Sequence, residues 1–412
     1  MYWRYLSDHI RQWSEKNYVQ ILFGARQTGK STLLRSVFRD AALWIDLSDP
    51  AERTRYLAQP GAFSAECRAL PTSDGPLTVV VDEAQTVPEI FNAVQSLYDG
   101  DPGRWRFVLC GSSSRKLRQS GANLLPGRSV YHHLHALTLS ERPAAGALKE
   151  PGRIASLPDA QAPTSDSFPR VDLETRLAFG ELPGIATAAE TDRAKLLSSY
   201  TQIYLEEEIR REALVRDWGA FARFLPLAAA ESGSEVNFSA VSRQAGVSVP
   251  TVKSYYALLE DMFIGFQVCA FSKSPRKYLL STPRFYFFDL GVRHAAAGLE
   301  PGLPLVRTQP GKFFEQWVIQ ELWKRLGYLG RGCMYHYRTK GGVEIDCIIE
   351  LDGVLTPIEI KWTERPDRHD VRHLIDFVRD HAPACTGGYL VCRCARPMQL
   401  DDNVVALPYQ CL

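Results

Sequence analysis

No apolar run in the 412-residue chain is long enough to cross a bilayer, and the opening MYWRYLSDHIRQW has none of the features of a secretory leader, so a cytoplasmic protein is expected. Charge of one sign is also lacking. With 48 Lys and Arg against 47 Asp and Glu, the net charge is +1, and any surface for nucleic acid must be a local patch. Cysteine offers no framework either. The nine residues form an odd set without paired short spacings, which suits a reducing compartment, and Cys392 and Cys394 are too close to make half of a zinc knuckle. What remains is an ordinary globular composition, 45% hydrophobic and 23% charged, in a chain too long for one core.

The organising stretch is Ile21 to Thr32, ILFGARQTGKST. The apolar run Val19 to Phe23 reads as a buried strand and Ser31 to Phe38 as a helix. The turn between them carries Gly24, Ala25, Arg26, Gln27, Thr28, Gly29, Lys30, Ser31 and Thr32, with Gly24, Gly29, Lys30 and Ser31 at phosphate-loop spacing. Glycines let backbone N–H groups wrap an anion, and the helix N-terminus adds partial positive charge. Lys30 would reach the β- and γ-phosphates of ATP, and Ser31 would hold Mg²⁺.

A short amphipathic helix over 4–16 precedes this strand, and Leu43 to Leu47 follows as a second strand. The third expected strand, Leu77 to Val81, ends in Asp82 and Glu83. Asp82 would orient magnesium, directly or through water, and Glu83 would polarise the attacking water. Phe107 to Cys110 reads as a fourth strand running into a serine-rich turn, where Ser112 or Ser113 would sense the γ-phosphate in an ATPase with an extra strand between loop and acids. Arg128, in LLPGRSV, is placed to act as an arginine finger toward its own or a neighbouring copy's nucleotide.

The order of phosphate loop, Asp82-Glu83, serine turn, LPGR and LHALTLSE resembles the AAA-superfamily ATPases of bacteria and archaea that carry a C-terminal domain of unknown function, number 4143. PRFYFFDLGVR is similar to that family's PKxYFxDxGL signature, and YLEEEI is similar to its YLxxDI, with Glu208 in place of the aspartate. The fold class expected is therefore multidomain α/β. It comprises an AAA-type phosphate-loop domain with a parallel sheet (1–145), a linker and helical segment (146–220), a winged helix (221–300) and a restriction-endonuclease-like domain (301–412). Resemblance to such a family also raises the prospect of a homo-oligomer, since AAA-type modules often form rings, while no residue settles a ring against a monomer.

In the third part, FSAVSRQAGVSVPTVKSYYALLEDM reads as a helix-turn-helix with Gly246 in the turn and a helix capped near Ser248. Ile264 to Phe271 and Phe285 to Phe288 would be the wing. Thr251, Lys253 and Ser254 would face a DNA groove, with Lys273, Arg276, Lys277 and Arg284 as a basic cluster; a packing or protein-binding role for the same module stays open.

The last part begins with an amphipathic helix, Gly311 to Leu326, bearing Glu315. MYHYRTKGGVEIDCIIELDGVLTPIEIKW follows, read as two apolar strands joined by an Asp352-Gly353 turn. Glu344 and Asp346 share one face of the first, and Glu359 and Lys361 share one face of the second. An acid followed by Glu-x-Lys on the neighbouring strand matches the PD-(D/E)xK pattern of metal-dependent nucleases. Glu315, Asp346 and Glu359, with the Ile360 carbonyl, would chelate Mg²⁺ or Mn²⁺, while Lys361 would position and deprotonate water. Arg338 and Lys340 would hold a DNA backbone or serve as solvated loop charges. Two readings stand: ATP-dependent DNA processing by an ATPase coupled to a nuclease, and an ATP-driven switch whose third domain is a catalytically silent scaffold.

Overall fold

The computed structural model describes residues 2–113, 125–146, 154, 167–205, 209, 217–272, 282–339 and 341–412. Glu208, Lys273, Arg276, Lys277, Lys340 and most of the Ala- and Pro-rich linker lie outside the described residues. Two compact units are present. The first is residues 1–135 with 261–263, and the second is 136–260 with 264–412.

The first unit is built on five parallel strands, β1 (Val19–Phe23), β2 (Leu43–Asp46), β3 (Leu77–Asp82), β4 (Trp105–Gly111) and β5 (Ser129–His133), in the order β2-β3-β4-β1-β5. Strand β4 thus separates the loop strand β1 from the acid-bearing β3, the insertion expected from the sequence. Every residue of β1 is buried, the mark of a central parallel strand covered on both faces. Ile21, Val79, Val81, Phe107 and Leu109 pack one face against Phe63, Phe91 and Val94. The last two sit on α5 (Glu89–Gly100), which follows α1 (Leu6–Ser14), α2 (Lys30–Val37), α3 (Pro50–Ala58) and α4 (Ala62–Ala69). The loop helix α2 starts one residue earlier than expected because Gly29, at φ 92°, forms its N-cap.

The second unit carries an eight-stranded mixed sheet, ordered β12-β13-β11-β10-β9-β8-β6-β7. Its strands are β6 (Gly265–Ala270), β7 (Arg284–Phe287), β8 (Cys333–Arg338), β9 (Glu344–Leu351), β10 (Val354–Ile360), β11 (Gly388–Cys392), β12 (Met398–Asp401) and β13 (Val404–Pro408). The segment before the Asp352-Gly353 turn, read as one strand, is two, because β8 and β9 pair antiparallel across Thr339–Gly342. The turn itself forms as the dipeptide demands, with Asp352 at φ 53° and Gly353 at φ 80° joining β9 to β10.

The pair expected as a separate wing, β6 and β7, is antiparallel, but β6 also pairs in parallel with β8, so both strands extend the C-terminal sheet. Before them come α6 (Leu173–Phe179), α7 (Pro183–Thr187), α8 (Glu190–Ser199) and α9 (Trp218–Ala230). Next are α10 (Phe238–Ala245), ended by Gly246 at φ 72°, and α11 (Val249–Asp261). Beyond β7 follow α12 (Leu290–Ala296), α13 (Leu303–Thr308), α14 (Pro310–Leu329) and α15 (Arg372–Asp380). Helix α14 is twenty residues long and largely buried, three residues longer at its C-terminal end than expected. No helix among the described residues is long and apolar enough to cross a membrane.

Candidate functional site

In the first unit, β1 delivers the chain into the loop and Gly24 permits its closure: a Cβ there would stand 2.3 Å from the Leu134 carbonyl oxygen. Gln27 adopts φ 61°, and the Thr28 hydroxyl donates to the Ala25 carbonyl at 2.8 Å. The Lys30 ammonium is buried and donates to the Gly24 and Ala25 carbonyls at 2.9 and 3.0 Å, so its charge spans the loop. Arg4, which the sequence reading passed over, is buried and ties the loop from behind, donating to Thr28 O at 2.6 Å and His135 O at 2.7 Å. Ser31 lies half-buried in the first turn of α2 and Thr32 is exposed. A helix N-terminus, a buried ammonium and a serine hydroxyl fit a magnesium-bound triphosphate.

Asp82 ends β3 in a buried position and accepts from the Glu83 N–H at 3.0 Å. Glu83 itself adopts φ 53°, a left-handed conformation costly for a non-glycine residue. Its carboxylate accepts from the Gln85 amide at 2.5 Å and from the buried Ser112 hydroxyl at 3.2 Å, while Gln85 also donates to Ser112 at 3.1 Å. Of the two serines considered, Ser112 donates to Glu83, and Ser113 is fully buried. Gln85 is a site residue that sequence reasoning missed, and its position two residues past Glu83 was the available signal. Beside it, burial and then the Asp82 charge push the Cys110 thiol well up. Arg128 pairs with Asp99.

In the second unit, β9 and β10 place Asp346, Glu359 and Lys361 together, and α14 adds Glu315. Lys361 Nζ lies 2.7 Å from Glu359 Oε1, and Asp346 accepts from the Ile360 N–H at 2.8 Å. Burial, and then the Asp346 charge, push Glu315 up to about 8 and Glu359 up to about 7. Asp346 is raised by burial against the lowering effect of the Ile360 N–H. Lys361 is raised although burial opposes it, because Glu359 and Asp346 favour its charge.

A second cation enters from β7. Arg284, assigned from sequence to a basic DNA-facing cluster, is instead buried and turned inward, 3.5 Å from Glu315 Oε1 and paired with Glu344. Inside, its guanidinium faces the Tyr286 phenol as well as the two glutamates. Arg338 pairs with Glu235 at 3.2 Å, and Lys253 lies over the Phe238 ring at 5.2 Å. Lys253 and Ser254 are exposed and Thr251 is half-buried.

Among the described residues no three His, Cys, Asp or Glu side chains form a ready metal-binding group. The oxygen-only donors nevertheless suit a hard divalent cation. Glu359 Oε2 is buried without a hydrogen-bond partner, a polar atom that such a cation on the Asp346 side would satisfy.

Residues 16–142 match the AAA domain family model. The first unit is thus similar to ATPase domains, which implies ATP as ligand and Mg²⁺ with it. Residues 310–412 match the domain of unknown function 4143, and residues 170–302 match another domain of unknown function, 8612. Uncharacterized proteins of Mycobacterium tuberculosis and Mycobacterium bovis are each 26% identical over 350 residues, covering 84% of this chain and 71% of theirs. An uncharacterized protein of Haemophilus influenzae is 22% identical over 312 residues, covering 71% of this chain and 72% of its own.

Proposed function

We propose that the chain is an ATP-dependent DNA-processing protein in which the nucleotide state of the AAA domain controls a metal-dependent nuclease-like site. The loop from Gly24 to Thr32 holds ATP, Ser31 and Asp82 hold its Mg²⁺, and Glu83 polarises the attacking water. Ser112 reports the γ-phosphate, and Arg128 acts as a finger once freed from Asp99. The helices Phe238–Ala245 and Val249–Asp261 act as a helix-turn-helix that meets DNA through Thr251, Lys253 and Ser254, without a separate wing. In residues 301–412, Asp346 and Glu359 hold Mg²⁺ or Mn²⁺ and Lys361 orients the water. The observation that carries the DNA half is the triad itself, with Lys361 2.7 Å from Glu359 and Asp346 fastened to the backbone of the residue between them.

A second reading has its own support. A single guanidinium, Arg284, already pairs with two of the four acids, as in a catalytically silent scaffold. Incubating the chain with Mg²⁺ or Mn²⁺ and single-stranded, double-stranded or branched DNA, beside Lys361→Ala, separates the two. Cleavage lost in the variant supports the nuclease; cleavage that survives it removes the site, and none of any substrate supports the scaffold. Lys30→Ala abolishes ATP turnover under either reading. Mass measurement with a slowly hydrolysed ATP analogue tests whether nucleotide assembles the chain into a homo-oligomer.

A further inference from the structure

The four acids at the C-terminal site lie close enough to feel one another's charge, but they pair with different partners. Asp346 and Glu359 face the Ile360 N–H and the Lys361 ammonium, whereas Glu315 and Glu344 share the Arg284 guanidinium. The two cations differ in kind. Lys361 is 43% exposed on a flexible stem, so its ammonium can swing aside for an incoming ion. Arg284 is 6% exposed. Its backbone is fixed by pairing with Val268 in β6 and by a bridge to Glu235 on the other side. A guanidinium stays charged at every pH a protein survives and cannot leave by losing its proton.

We propose that Arg284 is a resident counter-cation that occupies the place of a second divalent ion, limiting this acid cluster to one ion, on the Asp346 and Glu359 side. Glu315 is then a partner of Arg284 and not a metal ligand. The buried, unpartnered Glu359 Oε2 lies in the half of the cluster left to the metal. The two Arg284 pairings join residues matched by different family models, since Arg284 falls in 170–302 and Glu315 and Glu344 in 310–412. The preceding segment therefore supplies one of the two cations that pair with the C-terminal acids. This inference deepens the nuclease-like reading, yet its test counts bound ions and not cleavage, so each can fail alone.

The experiment titrates the full chain with Mn²⁺ in the absence of nucleotide and counts free ion by electron paramagnetic resonance. Arg284→Gln is expected to take one more Mn²⁺ per chain than the native protein, and Arg284→Lys none. Adding Glu315→Gln to Arg284→Gln should remove the extra ion. Equal counts for the native chain and Arg284→Gln would overturn the proposal. Should Arg284→Gln fail to fold, Glu315→Gln alone decides. An unchanged Mn²⁺ count supports the counter-cation, and a lost ion makes Glu315 a ligand and ends the proposal.

Discussion

The Gln85 amide donates to the Glu83 carboxylate at 2.5 Å, and the same nitrogen reaches the Ser112 hydroxyl at 3.1 Å. Glu83 is therefore oriented by two neighbours, one on its own turn and one at the end of β4. Gln85 has little freedom to do otherwise, since it is buried and a Cβ on Gly111 would stand 2.4 Å from its amide oxygen.

A carboxylate positioned for base catalysis contributes roughly 10²–10⁴-fold, and a loosened one keeps part of that. Gln85→Ala should lower the ATPase kcat by about tenfold while KM for ATP stays within about twofold. Gln85→Glu should lower it further, because a second carboxylate beside Glu83 opposes the charge a base needs. Steady-state kinetics and binding of a fluorescent ATP analogue measure the two quantities separately. A rise in KM with kcat unchanged would remove Gln85 from the role.

Gly24→Ala tests the loop closure. The added methyl would meet the Leu134 carbonyl oxygen at 2.3 Å, a backbone atom that cannot rotate away. Relief requires the loop or the residue after β5 to move, at a cost of about 1–3 kcal/mol. The expected outcome is a lower melting temperature together with weakened ATP binding by calorimetry. Native affinity in the variant would show that the loop tolerates the shift.

The features legible in the sequence were those written in local spacing. Gly24, Gly29 and Lys30 announce the loop within seven residues, and Asp352-Gly353 announces its hairpin in two. The helix after Gly29 followed from the same local rules, whereas the place of β4 between β1 and β3 was expected only by likeness to ATPases with an extra strand there. Arg284 was misread because its acid partner Glu344 lies 60 positions away, and in isolation an arginine near lysines reads as a basic patch. The pairing of β6 with β8 was missed for a related reason: period-2 patterning reports which face is buried, not which neighbour forms the next ladder. Gln85 escaped notice because a glutamine after two acids carries no charge signal of its own.

Buried histidines make stability depend on pH. Burial lowers His132, His294 and His336 to about 4 from an ordinary value of 6.5. For a base whose folded value is depressed, the unfolded chain takes up the proton first. The contribution is complete above pH 6.5 and is lost as pH falls toward 4. Asp289, raised by burial to about 6, opposes this, since its contribution is lost as pH rises from about 4 to 6. A single-site comparison isolates the histidine effect. His132→Gln should flatten the stability slope between pH 4 and 6.5 by about 1.4 kcal/mol per pH unit relative to the native chain. Denaturant unfolding at several pH values gives both slopes, and parallel slopes would mean that His132 is charged in the fold.

Lys324 and Glu321, one turn apart on α14, hold the segment from Leu137 to Leu139. Glu321 Oε1 accepts from the Leu139 N–H at 2.8 Å, and Lys324 donates to the Leu137 carbonyl at 2.6 Å. The two side chains are 1% and 2% exposed, and they lie 2.8 Å apart. Removing one partner of so buried a pair leaves an uncompensated charge in the interior, which costs about 3–5 kcal/mol, whereas replacing both by apolar groups costs far less. Lys324→Met should therefore destabilise the second unit by that amount. Adding Glu321→Leu should recover part of the loss, although the Leu139 N–H then lacks its acceptor. A double-mutant cycle by denaturant unfolding reads the coupling directly. Additive losses would mean that the two charges are held independently and that the segment is anchored by hydrogen bonds to the backbone alone.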